Sequence, residues 1–134
     1  MTLPASLITV SPIYAALLTL VFIVITMRIG VHRLNTKIMI GDGGDAEMLR
    51  RMRGQANFVE QVPLALILLI MMELNYASET WLHSLGGILL AARILHYIGL
   101  AELGPMACRT VGMMATTGVT VASSGWLLYT ICLS

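Results

Sequence analysis

The stretch Arg50-Arg51-Met52-Arg53-Gly54-Gln55-Ala56-Asn57-Phe58-Val59-Glu60-Gln61-Val62-Pro63-Leu64-Ala65-Leu66-Ile67-Leu68-Leu69-Ile70-Met71-Met72 decides the fold. Its second half, Val62 to Met72, has no polar side chain, whereas its first half carries three arginines, an asparagine and a glutamate. Asp45 is placed to cap a helix start, and Glu47 suits the first turn, where the helix dipole favours negative charge. The stretch therefore reads as one helix over about 46–75. Crossing the hydrocarbon of a bilayer takes ~20 apolar residues, so the apolar half lies in lipid and the charged half runs to its surface. Pro63 frees a carbonyl one turn earlier and bends the helix slightly, which neighbouring membrane helices can accommodate.

Three more apolar segments lie outward from this one. The first, about 11–35, has no charge from Ser11 to Met27 and carries Pro12 in its first turn, where a missing N–H is harmless. The turn at Asn75–Ser78 leads into a helix over about 79–101, with Trp81 as an interfacial anchor. Gly104-Pro105 breaks the chain before a helix over about 106–132, which is uncharged after Arg109. Its Thr116, Thr117, Gly118, Ser123, Ser124 and Gly125 suit close helix–helix packing. The expected fold is all-α: an integral membrane four-helix bundle forming one domain over 1–134.

Composition supports a lipid solvent. Of 134 residues, 57% are hydrophobic and 11% charged, against ~25% charged in ordinary soluble domains. A soluble chain this small could not cover so much apolar surface. The net charge of +1 offers nothing for nucleic acid. Cys108 and Cys132 lie roughly 36 Å apart along one helix, too far for a disulfide within one chain, and read as packing residues. Gly41-Asp42-Gly43-Gly44 lacks the Lys-Ser/Thr ending of a phosphate loop. The spacing of Asp42, Asp45 and Glu47 does not match a calcium loop, so no metal is expected. Arg28, Arg33, Lys37, Arg50, Arg51 and Arg53 crowd around the first inter-helix loop, which puts that loop in the cytoplasm and both termini outside. The first apolar run has no basic segment before it and its charges after it, as in a retained helix.

Arg50, Arg53, Asn57 and Glu60 are three, four and three residues apart and share one helix face. Membrane anchoring accounts for Arg50 and Arg51 but not for Asn57 and Glu60, which continue toward the apolar half. A charge at the membrane centre costs at least ~2.5 kcal/mol, so such residues face a partner or a wet cavity. The third helix adds Arg93, His96 and Tyr97. Arg93 needs an anion or a carbonyl, and two readings stand: a pair with Glu60, or direct contact with a ligand. His96 taken alone reads as a satisfied interior histidine, and His83 has no site partner. Arg33 and Arg109 return to the same membrane level. A strongly cationic set with one carboxylate suits a small ligand bearing several carboxylates and an amine. Arginine forks would hold the carboxylates, and Glu60 would accept from the ammonium.

Arg50-x-x-Arg53-x-x-x-Asn57-x-x-Glu60-x-x-Pro63 resembles the signature of the MAPEG family, the membrane-associated proteins in eicosanoid and glutathione metabolism. Arg93-x-x-His96 and an arginine opening the fourth helix are similar to the family's pattern as well. The resemblance spans essentially the whole chain. It is nearest to small bacterial members, which share the Gly-Asp-Gly-Gly loop and imply a bacterial inner membrane. It implies a homotrimer that binds glutathione between subunits in the cytoplasmic half. Arg53, Asn57 and Glu60 would hold the tripeptide, with Arg33, His96 and Tyr97 contributing and Arg50 and Arg93 in the same candidate set. Arg109 would stabilise the thiolate, with Thr110 where some members carry serine. Ala56 departs from an arginine of certain members, and Leu100 and Met113 from tyrosines of others.

The function expected is a glutathione-dependent transferase or peroxidase acting on a lipophilic small-molecule electrophile from the bilayer, with the thiolate as nucleophile. The alternative is a non-catalytic lipid-binding or scaffold membrane protein on the same fold. A drug–proton exporter is disfavoured, because Ser11 to Met27 contains no acidic residue. The topology can be checked directly. A reporter fused after Ser134 is expected to be active only outside the cytoplasm, and a cytoplasmic signal would invert the arrangement.

Overall fold

In the computed structural model, which describes residues 8–133, the chain forms four helices: α1 (Ser11–Thr36), α2 (Ala46–Leu74), α3 (Glu79–Leu100) and α4 (Met106–Leu133). They contain 26, 29, 22 and 28 residues, and each is long and apolar enough to cross a membrane. The described residues are thus all-helical, as the four apolar segments led one to expect.

Local chemistry sets the helix ends. Asp45 caps α2 by accepting the Met48 N–H at 2.8 Å, and Ser78 caps α3 by accepting the Trp81 N–H. The Met48 N–H, and after it the His32 ring, hold the Asp45 carboxyl below the usual carboxylate range. That cap is therefore complete above the ordinary carboxylate pKa and is lost as pH falls through the lowered value. Between α1 and α2, Gly41, Gly43 and Gly44 all take positive φ, which glycine adopts without strain.

α2 and α3 each touch the other three helices, while α1 and α4 lie on opposite flanks. Leu18, Ile25, Phe58, Val62, Leu69, Leu85, Leu89 and Val119 interlock between them. Outward-facing side chains such as Leu20, Val24, Met27, Ile67 and Leu128 stay exposed and form the lipid surface. α3 and α4 approach most closely. A Cβ added at Gly99 would stand 2.4 Å from the Arg109 nitrogen, and one at Gly112 would stand 2.4 Å from the Ala92 carbonyl oxygen. Only glycine permits that approach.

At the opposite end of the bundle, Glu73 closes the fold. Buried near the end of α2, it accepts the backbone N–H groups of Thr9, Val10 and Ser11 at 2.6, 2.6 and 2.8 Å. These are the orphan donors at the start of α1, where a carboxylate is favoured by the helix dipole. Nearby, the Tyr14 hydroxyl meets His83 Nδ1 at 3.1 Å and donates to the His83 carbonyl at 3.0 Å, so His83 has a partner that its sequence position did not reveal. Glu73→Ala is expected to destabilise the bundle by about 2 kcal/mol, read as a lowered thermal midpoint in detergent, with Glu73→Gln in between. A midpoint unchanged in Glu73→Ala would show that the three N–H groups find other acceptors.

Candidate functional site

α2, α3 and α4 surround a cavity of about 260 Å³ at the end of the bundle opposite Glu73. Arg53, Asn57 and Glu60 line it from α2, His96 from α3 and Arg109 from α4. Ala56, Leu100 and Met113 supply its apolar walls. The helical repeat accounts for the α2 contribution, because residues three and four apart stack on one face. The tight α3–α4 crossing accounts for His96 and Arg109. With Gly112 against the backbone at His96, the His96 Nδ1 comes within 3.1 Å of the Arg109 carbonyl oxygen.

Arg93 stands behind the cavity wall. It is 1% exposed, and its Nη2 donates to Asn57 Oδ1 at 2.7 Å. Its guanidinium carbon lies 5.5 Å from the centroid of the Phe58 ring, a cation–π distance. Of the two expected readings, the pair with Glu60 gives way here to a bond with Asn57. One helical turn separates Asn57 from Glu60, and the arginine reaches the nearer residue. Its Nε and Nη1 have no partner among the described residues. Because Asn57 Oδ1 is occupied, the side-chain amide is held in one orientation, and its N–H groups remain for whatever fills the cavity.

Other candidates lie apart from this set. Arg50 pairs with Glu102 at 3.3 Å, in the turn after α3. Arg33 donates from Nη1 to the carbonyls of Ile38 and Gly41 at 3.2 and 3.0 Å, tying down its own loop. The Tyr97 ring lies 5.6 Å from the Arg28 guanidinium, and its buried hydroxyl has no partner among the described residues. Thr110 is exposed beside the cavity-lining Arg109 and does not itself line the cavity. Sequence reasoning missed the Asn57–Arg93 bond and the whole Glu73 cluster. The signal for Glu73 was available: it is a lone carboxylate at the end of a long apolar run, and such a group needs a partner.

Met113 also opens onto a second hollow. An apolar groove of about 500 Å³ runs along the outer face of α4 between Met113, Met114, Thr117, Gly118, Val121 and Ala122. The polar cavity and the lipid-facing groove therefore meet at one side chain.

Fold and site together define a multi-pass membrane protein with a cationic cavity set within its helix bundle. The model of the MAPEG family matches residues 11–129, and the chain belongs to that family. It is similar to the inner membrane protein YecN of Escherichia coli strain K12, 38% identical over 91 residues that make up 67% of this chain and 69% of that protein. The protein of the same name from Escherichia coli O6:H1 strain CFT073 matches to the same extent.

The Asn57–Arg93 bond has a measurable consequence. Asn57→Ala leaves a buried guanidinium without its hydrogen-bond acceptor and is expected to cost about 3 kcal/mol of stability. Adding Arg93→Leu removes the stranded charge, so the double variant is expected to melt higher than Asn57→Ala alone. A double variant that melts lower would mean that Arg93 has another strong partner.

Proposed function

We propose that this protein is a glutathione-dependent membrane transferase or peroxidase that acts on lipophilic electrophiles. In this reading glutathione is held between the subunits of a homotrimer, in the cytoplasmic half of a bacterial inner membrane. The observation that carries it is the convergence of two arginines, Arg53 and Arg109, with the single carboxylate of Glu60 on one cavity. Glutathione offers the complement: two carboxylates, one ammonium and one thiol. Arg53 would hold a carboxylate through a bidentate fork, Glu60 would accept from the ammonium, and Asn57 would donate to the peptide. Arg109 would stabilise the thiolate, which is the nucleophilic form. Family membership and the groove that meets the cavity at Met113 support a reactant arriving from lipid.

The trimer has a physical motive of its own. Arg53 and Glu60 are exposed on the single chain although they lie on a membrane-crossing helix. Charged groups at that depth face protein or water rather than lipid, and further copies of the chain would cover them.

Glutathione titration of the purified protein, with the ultraviolet band of bound thiolate as readout, tests the proposal. Arg109→Ala is expected to lower conjugation of a generic lipophilic electrophile by about 100-fold and to affect binding much less, with Arg109→Lys in between. Glu60→Gln is expected to weaken glutathione by about tenfold and an analogue lacking the amine far less. If the wild type binds glutathione with no thiolate and no turnover above buffer, the non-catalytic scaffold takes the place of the enzyme.

A further inference from the structure

His96 is more than a filler of the α3–α4 interface, because its hydrogen bond fixes its chemistry. A carbonyl oxygen can only accept, so the 3.1 Å contact between His96 Nδ1 and the Arg109 carbonyl requires the proton on Nδ1. In the neutral ring, Nε2 then carries the free lone pair. The ring lines the cavity, and Nε2 has no partner among the described residues. Gly112 packs directly on the His96 backbone, where an added Cβ would lie 2.6 Å from the His96 nitrogen and 2.8 Å from its Cβ, and this close approach of α4 brings the Arg109 carbonyl within reach of the ring. The carbonyl that orients His96 belongs to Arg109, whose side chain also lines the cavity. This is the arrangement of an oriented general base: a ring nitrogen poised by a hydrogen bond at the other nitrogen.

We infer that His96 is the proton acceptor for the thiol bound in this cavity, with Nε2 taking the proton while Arg109 stabilises the sulfur. The inference rests on the glutathione reading above and deepens it. On binding, the S–H bond breaks, its electron pair stays on sulfur, and the proton bonds to Nε2 to give an imidazolium. The thiolate then attacks the β-carbon of an activated alkene such as an α,β-unsaturated carbonyl compound. The electron pair displaced to the α-carbon takes the proton back from Nε2, so the adduct holds every atom of both reactants and His96 returns to neutral. The charged groups sharing the cavity are Arg53 and Glu60 on α2 and Arg109 on α4, with Arg93 one turn back on α3. Of these only Glu60 could compete for the proton, and in the glutathione reading it is engaged with the ammonium.

A proton count distinguishes this role from a structural one. The full-length protein in lightly buffered detergent is titrated with glutathione, and thiolate absorbance and proton release are recorded together. S-Methylglutathione, which has no thiol proton, supplies the baseline for all other protonation changes. In the wild type the thiol proton stays on His96, so release above that baseline is expected near zero per thiolate formed. His96→Asn keeps an N–H able to reach the Arg109 carbonyl but has no basic nitrogen. It is expected to release close to one proton per thiolate, and to conjugate an activated alkene about 100-fold more slowly with glutathione affinity changed less than about threefold. A wild type that releases one proton per thiolate overturns the inference while leaving the glutathione function intact, and so does His96→Asn with unchanged turnover. The wild-type count decides the matter even if the variant does not fold. A wild type that forms no thiolate and shows no turnover removes the functional reading and this inference together.

Discussion

The close crossing of α3 and α4 is the constraint on which the rest of the site depends. Gly99 and Gly112 remove the side chains that would hold the two backbones apart, and any Cβ at either position would collide with the facing main chain. Only at that separation does the His96 ring reach the Arg109 carbonyl, and only then do the Arg109 side chain and His96 share a cavity with the α2 stripe. In lipid, helices gain little from hiding apolar surface, because the alternative neighbour is equally apolar; close packing and polar contacts have to supply the specificity. Two glycines and one hydrogen bond meet both needs here.

Charge inside an apolar bundle governs the remainder. Each buried ionisable group has a partner: Glu73 the free N–H donors of α1, His96 the Arg109 carbonyl, and Arg93 the Asn57 amide and the face of Phe58. The two ends differ in how completely this is done. Glu73 takes three backbone donors through its two oxygens and is fully engaged. Arg93 uses one of its nitrogens and leaves two others unpartnered among the described residues. A saturated cluster suits a fixed anchor. An unsaturated one stands at the end of the bundle that holds the polar cavity, where the proposed ligand would enter.

The sequence carried much of this, and its silences have physical causes. Four helices could be read because lipid demands long apolar runs and the breaks between them are marked by Gly104-Pro105, Asn75 and the Gly-rich loop. Arg53, Asn57 and Glu60 could be grouped because the helical repeat alone determines which residues share a face. Pairings across helices are another matter. They depend on the rotation and depth of one helix against its neighbour, which periodicity leaves open. For that reason Arg93 could be paired with Glu60 when it bonds Asn57, one turn away. Arg50 was grouped with the stripe by spacing, yet its long side chain swings out to Glu102 beyond the end of α3. Arg33 was grouped with the site by its expected level, yet the carbonyls of its own loop occupy it.

The walls of the cavity bear on selectivity in two different ways. Its polar side, with guanidinium forks and an oriented amide, recognises fixed geometry: an ammonium or a point charge cannot replace a bidentate fork, and an amide held by Arg93 cannot turn to suit a different partner. Its apolar side consists of Ala56, Leu100 and Met113, and it continues past Met113 into a groove of methionine, valine, alanine and glycine on α4, with the Thr117 hydroxyl turned to the Met113 carbonyl. Such a surface distinguishes molecules only by size and shape, where one methylene is worth about 1–3 kcal/mol, and methionine adapts readily to different shapes. In the proposed function, a site built this way would be strict toward the molecule held by its charges and permissive toward whatever arrives along the groove.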